Sequence, residues 1–271
     1  MNDVDTPDPA LTADLLAVAT RAAARAAAFL VDGWAGREVV STKSSGTDVV
    51  TQMDRGSESL LVESIVAERP EDSLRGEEGG SRDGSTGITW VIDPLDGTVN
   101  YLYGLPVWAV SVGVLHGDRP IVGVVHAPAL GSVWRGVASP QPMAELNGTP
   151  ITASRGRSLQ EALVGTGFGY RADVREQQGR IVAALLPRVR DIRRAGAAAV
   201  DLCWVAQGLL DAYYERGTHL WDRAAGTAIA TAAGARVGGI DGGPATDSMT
   251  IAAGVHLFEP LRDQLTELGV T

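Results

Sequence analysis

The 271-residue chain is 45% hydrophobic and carries 33 acidic against 23 basic side chains, a net charge of −10. That length supports one large domain or two packed halves with real cores, while the acidic balance argues against a nucleic-acid or anionic-membrane partner, which needs a basic face. A single cysteine, Cys203 in the apolar run VDLCWVA, rules out an intrachain disulfide framework and a Cys-based zinc site.

The first ten residues, MNDVDTPDPA, are acidic and proline-bearing and lack the basic start of a signal peptide. No apolar run reaches the roughly 18 residues of a membrane span, so the expected location is cytoplasmic. Apolar spacing predicts a helix over 12–32, with Thr12 as N-cap and Gly33 as its stop. VVSTKSSGTDVVTQMD is polar and reads as a loop. A second helix is predicted over 54–68, ending before Pro70. SLRGEEGGSRDGSTG reads as a Gly-rich loop, followed by a strand over 88–92. Residues 107–137 alternate apolar runs with Gly-Asp and Ala-Pro turns, the pattern of a β-meander, and ELNGTPI adds an Asn-Gly turn. A Pro/Gly/Ser-rich stretch near 145–157 then divides the chain. Beyond it, EALVGTGF, RDIRR, DAYYER and MTIAAG read as strands. Helices are predicted between them at REQQGRIVAALLPRV, AGAAAVDLCWVAQG and WDRAAGTAIATAAG, and a last helix at 257–268. Alternating strands and helices predict an α/β fold. The division gives an N-terminal half, 1–147, with two helices and a β-meander, and a C-terminal α/β half, 148–271.

The candidate chemistry lies in acids next to strands. Glu77 and Glu78 stand in GEE, Asp93 and Asp96 in WVIDPLDGTVNY, Asp222 in HLWDRAAG, and Asp48 and Asp54 in GTDVVTQMD. Pro94 fixes its own φ and lacks an N–H, so Pro94-Leu95 is predicted to be a tight turn presenting both aspartates on one side. Each piece alone is also ordinary loop chemistry: Asp-Pro and Asp-Gly are common turns, and Asp222 could cap a helix. Together they are harder to dismiss. Two carboxylates about 4 Å apart repel by roughly 4 kcal/mol at an effective dielectric of 20, so a cluster of them calls for a cation. Oxygen-only ligation points to Mg²⁺, Mn²⁺ or Ca²⁺ rather than zinc or copper. Gly97 and Thr98 add backbone N–H groups and a hydroxyl where a phosphate oxygen could dock. Nucleotide-binding GxGxxG and GxxxxGK[ST], the GxSxG elbow and HExxH are all missing. The four histidines have no metal-ligand spacing; His219, three before Asp222, is the only one near these candidate acids. The basic run Arg188, Arg190, Arg193 and Arg194 reads as a solvated or interface strand.

GEE, WVIDPLDGTVNY and the distant WDRAAG resemble the inositol monophosphatase family of Mg²⁺-dependent phosphomonoesterases. KSSGTDVVTQMD, GTGFGY and RRAGAAAVDLCWVAQGLLDAYYE extend the match over nearly the whole chain after residue 40, closest to its bacterial inositol-1-monophosphatase branch. The resemblance implies a layered αβαβα sandwich. It implies that Glu77, Asp93 and the Leu95 carbonyl hold one Mg²⁺ and that Asp93, Asp96 and Asp222 hold a second, with Mn²⁺ a substitute. Glu77 and Thr98 would orient the attacking water, and the Gly97 and Thr98 amides would hold the phosphate. Ala198, Glu215, Asp96 and Asp222 would face the substrate, Glu215 accepting from polyol hydroxyls. Lys43, Asp48 and Asp54 would form an outer ring or assist a third, weaker ion. The implied reaction is hydrolysis of myo-inositol 1-phosphate or a related polyol phosphate. The alternative is a sister activity on histidinol phosphate, fructose 1,6-bisphosphate, a nucleotide 3′-phosphate or NADP. A homodimer and lithium sensitivity are implied by the same resemblance. The chain departs from the family pattern at Ala197, where many relatives carry Ser or Thr, and in a short loop at 138–147. Its first ten residues match nothing in that pattern.

Overall fold

The computed structural model describes residues 7–36, 39–42 and 49–270. Helix α1 (Pro9–Gly33) starts earlier than its periodicity predicts. Asp8 is the N-cap, accepting from the Ala10 amide at 2.9 Å, and Pro9 occupies the first turn, where a missing N–H is harmless. Thr12 lies inside the helix, its hydroxyl donating to the Pro9 carbonyl. The segment predicted as a loop contains two short antiparallel strands, β1 (Val39–Thr42) and β2 (Val49–Thr51). Lys43 and Asp48 lie outside the described residues. Helix α2 (Gln52–Glu68) packs on α1.

The Gly-rich stretch after α2 also holds strands, β3 (Ser73–Gly76) and β4 (Ser81–Arg82), with Glu77 and Glu78 in the turn between them. Strand β5 (Ile88–Asp96) runs four residues past its predicted end. Helix α3 (Thr98–Tyr103) follows, and then β6 (Ala109–His116), β7 (Arg119–Ala127), β8 (Ser132–Val137), β9 (Met143–Leu146) and β10 (Thr149–Pro150). These strands form an eight-stranded sheet in the order β10-β9-β8-β7-β6-β5-β3-β4. All its pairings are antiparallel except β3 with β5.

The second half supplies β11 (Leu163–Thr166), α4 (Ala172–Leu185), β12 (Asp191–Arg193), α5 (Ala198–Ala206) and β13 (Ala212–Glu215). It ends with α6 (Leu220–Ala232), β14 (Ala235–Gly238), β15 (Thr250–Gly254) and α7 (Val255–Glu267). Its five-stranded sheet runs β12-β11-β13-β15-β14, with β12, β11 and β13 mutually parallel. Five layers result: α1 and α2, the large sheet, α5 and α6, the small sheet, then α4 and α7. Apolar side chains fill each gap between layers. Both faces of the large sheet are covered, so β6 is buried along nearly its whole length rather than at alternate residues.

Helix α6 lies unusually close to that sheet. Gly113, Gly123 and Gly136 stand side by side on β6, β7 and β8. A Cβ on Gly113 would come 2.7 Å from the Ala224 Cβ, and one on Gly136 would come 2.7 Å from the Ile229 Cα. A Cβ on Gly123 would run into the Ala225 carbonyl. The helix therefore rests on bare backbone, and its first turn is brought down beside the end of β5. Among the described residues, no helix is long and apolar enough to cross a membrane.

Candidate active site

Glu77, Asp93, Leu95, Asp96, Gly97, Thr98, Ala198, Glu215 and Asp222 line one cavity of about 630 Å³. Five separate pieces of chain deliver them: the β3–β4 turn, the end of β5 running into α3, the start of α5, the end of β13 and the start of α6. Asp54 is one hydrogen bond away, its Oδ1 accepting from the Thr98 hydroxyl at 3.0 Å. Glu78 does not line the cavity; its amide and that of Gly80 donate to Glu58, which braces the turn carrying Glu77.

The predicted Pro94-Leu95 turn is a bulge. Asp93 pairs with Ser111 and Asp96 with Ala109, so β5 spends three steps where β6 spends two. Such a bulge re-aims side chains at the edge of a site, and proline is tolerated there because no ladder amide is required. The bulge is tied down: the Leu95 amide donates to Asp93 Oδ1 at 3.0 Å, and the Ser57 hydroxyl donates to the Pro94 carbonyl at 2.8 Å. The Leu95 carbonyl lies 3.0 Å from Thr98 Oγ1 as well, so it competes with Asp54 for the one hydroxyl proton. Asp96 accepts from the first amides of α5, Ala198 at 3.2 Å and Ala199 at 2.8 Å, where the helix dipole favours a negative charge. Asp222 is held similarly by the His219 amide at 2.6 Å.

These carboxyls sit together at electrostatic cost. Asp93 is 2% exposed and its pKa stands well above the usual range, through burial first and then the neighbouring charges of Glu77, Asp96 and Asp222. Glu77 is also close enough to hydrogen-bond Asp93, as two carboxyls sharing a proton do. Burial is the main cause that pushes Asp96 up to about 7, against the opposing pull of the Ala199 amide. Asp222 is raised by burial, Glu77 and Asp96. Among the described residues, no three His, Cys, Asp or Glu side chains are grouped as a finished metal cage. The chemistry of the donor set nonetheless fits a hard divalent cation. It is all oxygen, it is buried, and its mutual repulsion is what a cation displacing the shared proton would relieve.

Across the cavity the small sheet supplies a different wall. Glu215 accepts from the Tyr213 hydroxyl at 2.6 Å. Burial raises its pKa, while that bond and the Arg194 charge lower it. Phe168, Tyr170, Arg194, Arg216, His219 and Trp221 complete this side. His219 lies against the Trp221 ring and pairs with Asp247 at 3.0 Å. Three contributors were not singled out by motif. In sequence Arg194 reads with Arg188, Arg190 and Arg193 as a solvated or interface strand, although the small-residue turn AGAA directly after it is a signal for close approach. Asn100 bridges the Val107 and Ala195 carbonyls, joining α3 to the loop after β12. Asp201, 1% exposed on α5, lies behind Glu215 and Asp96, and burial holds its pKa well above the carboxylate range.

A family model described as the inositol monophosphatase family matches residues 12–267. The chain is 43% identical over 249 residues to an inositol-1-monophosphatase of Mycobacterium bovis, covering 83% of each. It is 34% identical over 232 residues to the Nus factor SuhB of Haemophilus influenzae, covering 84% of this chain and 86% of that one. Among solved structures, it is similar to Mycobacterium tuberculosis SuhB with a TM-score of 0.82 and 38% identity, over 96% of this chain and 98% of that one. Sequence, fold and a match along nearly the whole length agree: the chain belongs to the inositol monophosphatase family of phosphatases.

Proposed function

We propose that the chain is a Mg²⁺-dependent phosphomonoesterase acting on myo-inositol 1-phosphate or a related polyol phosphate. The observation that carries this reading is the meeting of Glu77, Asp93, Asp96 and Asp222 on one wall of a cavity whose other wall presents Glu215. The four acids and the Leu95 carbonyl would hold the Mg²⁺, with Mn²⁺ as substitute and Asp54 in support. Bound divalent ions supply positive charge against a phosphate dianion and acidify water beside it.

The chain's own groups have definable tasks. Asp54 accepts the Thr98 hydroxyl proton, which leaves a Thr98 Oγ1 lone pair to take a hydrogen bond from the attacking water. Glu77 orients the same water from the other side. The Gly97 and Thr98 amides hold the phosphate. Ala198 leaves room for the alcohol, and Glu215 accepts from its hydroxyls.

Tyr213 sets the state of Glu215. Tyr213→Phe removes the hydrogen bond that fixes the Glu215 carboxyl and opposes the rise in its pKa caused by burial. The loss of one hydrogen bond to a charged group corresponds to roughly a tenfold rise in KM for inositol 1-phosphate, with little change in kcat. A fall in kcat at constant KM would contradict the role given to Glu215.

The reading as a whole is tested by phosphate release from inositol 1-phosphate and from histidinol phosphate, each with Mg²⁺ and with chelator. Turnover of the inositol ester that chelator abolishes, and much weaker turnover of the cationic ester, are expected. No release from any monoester at saturating Mg²⁺ or Mn²⁺ would sink the reading.

A further inference from the structure

We propose that Asn100 is a positioning residue that sets the spacing between the turn holding the phosphate and the wall meeting the alcohol. This rests on the phosphomonoesterase reading and concerns how one ester is held at both of its ends.

The two ends come from distant chain. Gly97 and Thr98 lead from β5 into α3, whereas Ala198 and Glu215 stand at the start of α5 and the end of β13. An ester bound by both needs them at a fixed distance, since a misplacement of about 1 Å can cost roughly 100-fold in rate.

Asn100 closes this junction. It lies in α3 just after Thr98 and is 5% exposed. Its Nδ2 donates to the Val107 carbonyl at 2.7 Å and to the Ala195 carbonyl at 2.9 Å. Val107 leads into β6, and Ala195 lies 95 residues from Asn100 in sequence, in the loop between β12 and α5. One planar amide thus uses both of its N–H groups to join the two pieces.

Backbone meets backbone around this amide. Gly97 has a φ of +85°, and a Cβ there would come 2.9 Å from the Val107 carbonyl oxygen and 3.3 Å from that of Gly196. Gly196 has a φ of +92°, and a Cβ there would come 3.1 Å from Asn100 Nδ2. The glycines permit the approach, and the Asn100 bonds fix it.

Asp96 also crosses the junction, through the Ala198 and Ala199 amides, but that carboxylate is one of the acids given to the cation. Asn100 is uncharged and does not line the cavity. Its loss should therefore shift the alcohol wall and leave the charge around the cation unchanged.

The test compares inositol 1-phosphate with ethyl phosphate, whose short alcohol does not span to Glu215, in saturating Mg²⁺. The quantity read is the ratio of kcat/KM for the inositol ester to that for the ethyl ester. In Asn100→Ala this ratio should fall by roughly tenfold or more, the scale of a lost buried hydrogen bond or a small misalignment. The rise in melting temperature that Mg²⁺ gives should match the wild type. Asn100→Ser returns one short donor, so its ratio should stand between the two, and it is read alone if the Ala variant does not fold. A variant ratio equal to the wild type, whether both esters decline together or neither does, overturns the proposal. So does a lost Mg²⁺ shift, which would put the effect of Asn100 at the cation end. A wild-type ratio near one overturns it as well, because the alcohol wall would then contribute nothing. Release of phosphate from neither ester by the wild type would instead overturn the phosphomonoesterase reading, and this inference with it.

Discussion

Asp93→Asn is expected to lose roughly 10³-fold or more in kcat and, in the same protein held in chelator, to melt at a higher temperature than the wild type. The two effects share one cause. Asp93 is buried beside Glu77, Asp96 and Asp222, and its ionised form is disfavoured by all of them. An amide of the same shape removes the repulsion and removes the charge that makes the site useful. The expected gain is about 1–3 kcal/mol, the usual scale for relieving an unfavourably buried polar group. The pH dependence follows from Asp96. Its pKa is about 7 in the fold against an ordinary 3.8. A raised carboxyl contributes stability that is fully present below about pH 4 and is lost as pH rises through 7. Mg²⁺, which favours the ionised carboxyls, should therefore raise the melting temperature more at pH 8 than at pH 5. Scanning calorimetry at both pH values, with and without Mg²⁺, checks both statements. An Asn variant no more stable than the wild type, or equal Mg²⁺ shifts at the two pH values, would refute the account of the cluster.

Gly123→Val should be the most damaging single change outside the cavity. Its side chain would enter the space of the Ala225 carbonyl, and neither element can yield cheaply, because β7 is paired on both edges and α6 packs on both sheets. Overpacking a core commonly costs 1–3 kcal/mol; a clash with backbone on both sides should exceed that, at about 3 kcal/mol or more. Activity should fall with stability, since any lift of α6 carries Asp222 away from β5. Urea unfolding gives the first quantity and phosphate release the second. A change within roughly 1 kcal/mol would show that α6 is not seated as tightly as the glycine row implies.

The long elements were legible because their cause is local. The apolar spacing of α1 and the paired-residue turns of the meander are written in adjacent residues. The acids were legible as a set because each stands next to a strand or helix start. The αβαβα layering was legible only through the resemblance of those motifs to the inositol monophosphatase family. What was not legible depended on distant chain. The β5 bulge looks like a turn in sequence, because only β6 opposite shows that the strand continues. The strands β1 to β4 are short and lie in polar or Gly-rich stretches, where pairing partners rather than propensity decide. Thr12 and Asp8 are both good caps, and the choice between them rests on Pro9. Arg194 reads as one of four similar arginines until the sheet order puts it at the end of a parallel strand beside Glu215.

The cavity's two walls are anchored to different degrees, and this bears on how such an enzyme can evolve. The acids are fixed by backbone amides, by a bulge and by a helix that rests on bare glycines, so a change there disturbs the core. Much of the opposite wall is a loop and the first turns of α4, where Tyr170, Arg171 and Gln177 are exposed and line the same space. Substitutions at exposed positions usually shift stability by no more than about 0.5 kcal/mol. A lineage can therefore exchange the residues that choose the alcohol many times over while the machinery that handles the phosphate stays intact, and new specificities can arise without passing through unfolded or inactive ancestors.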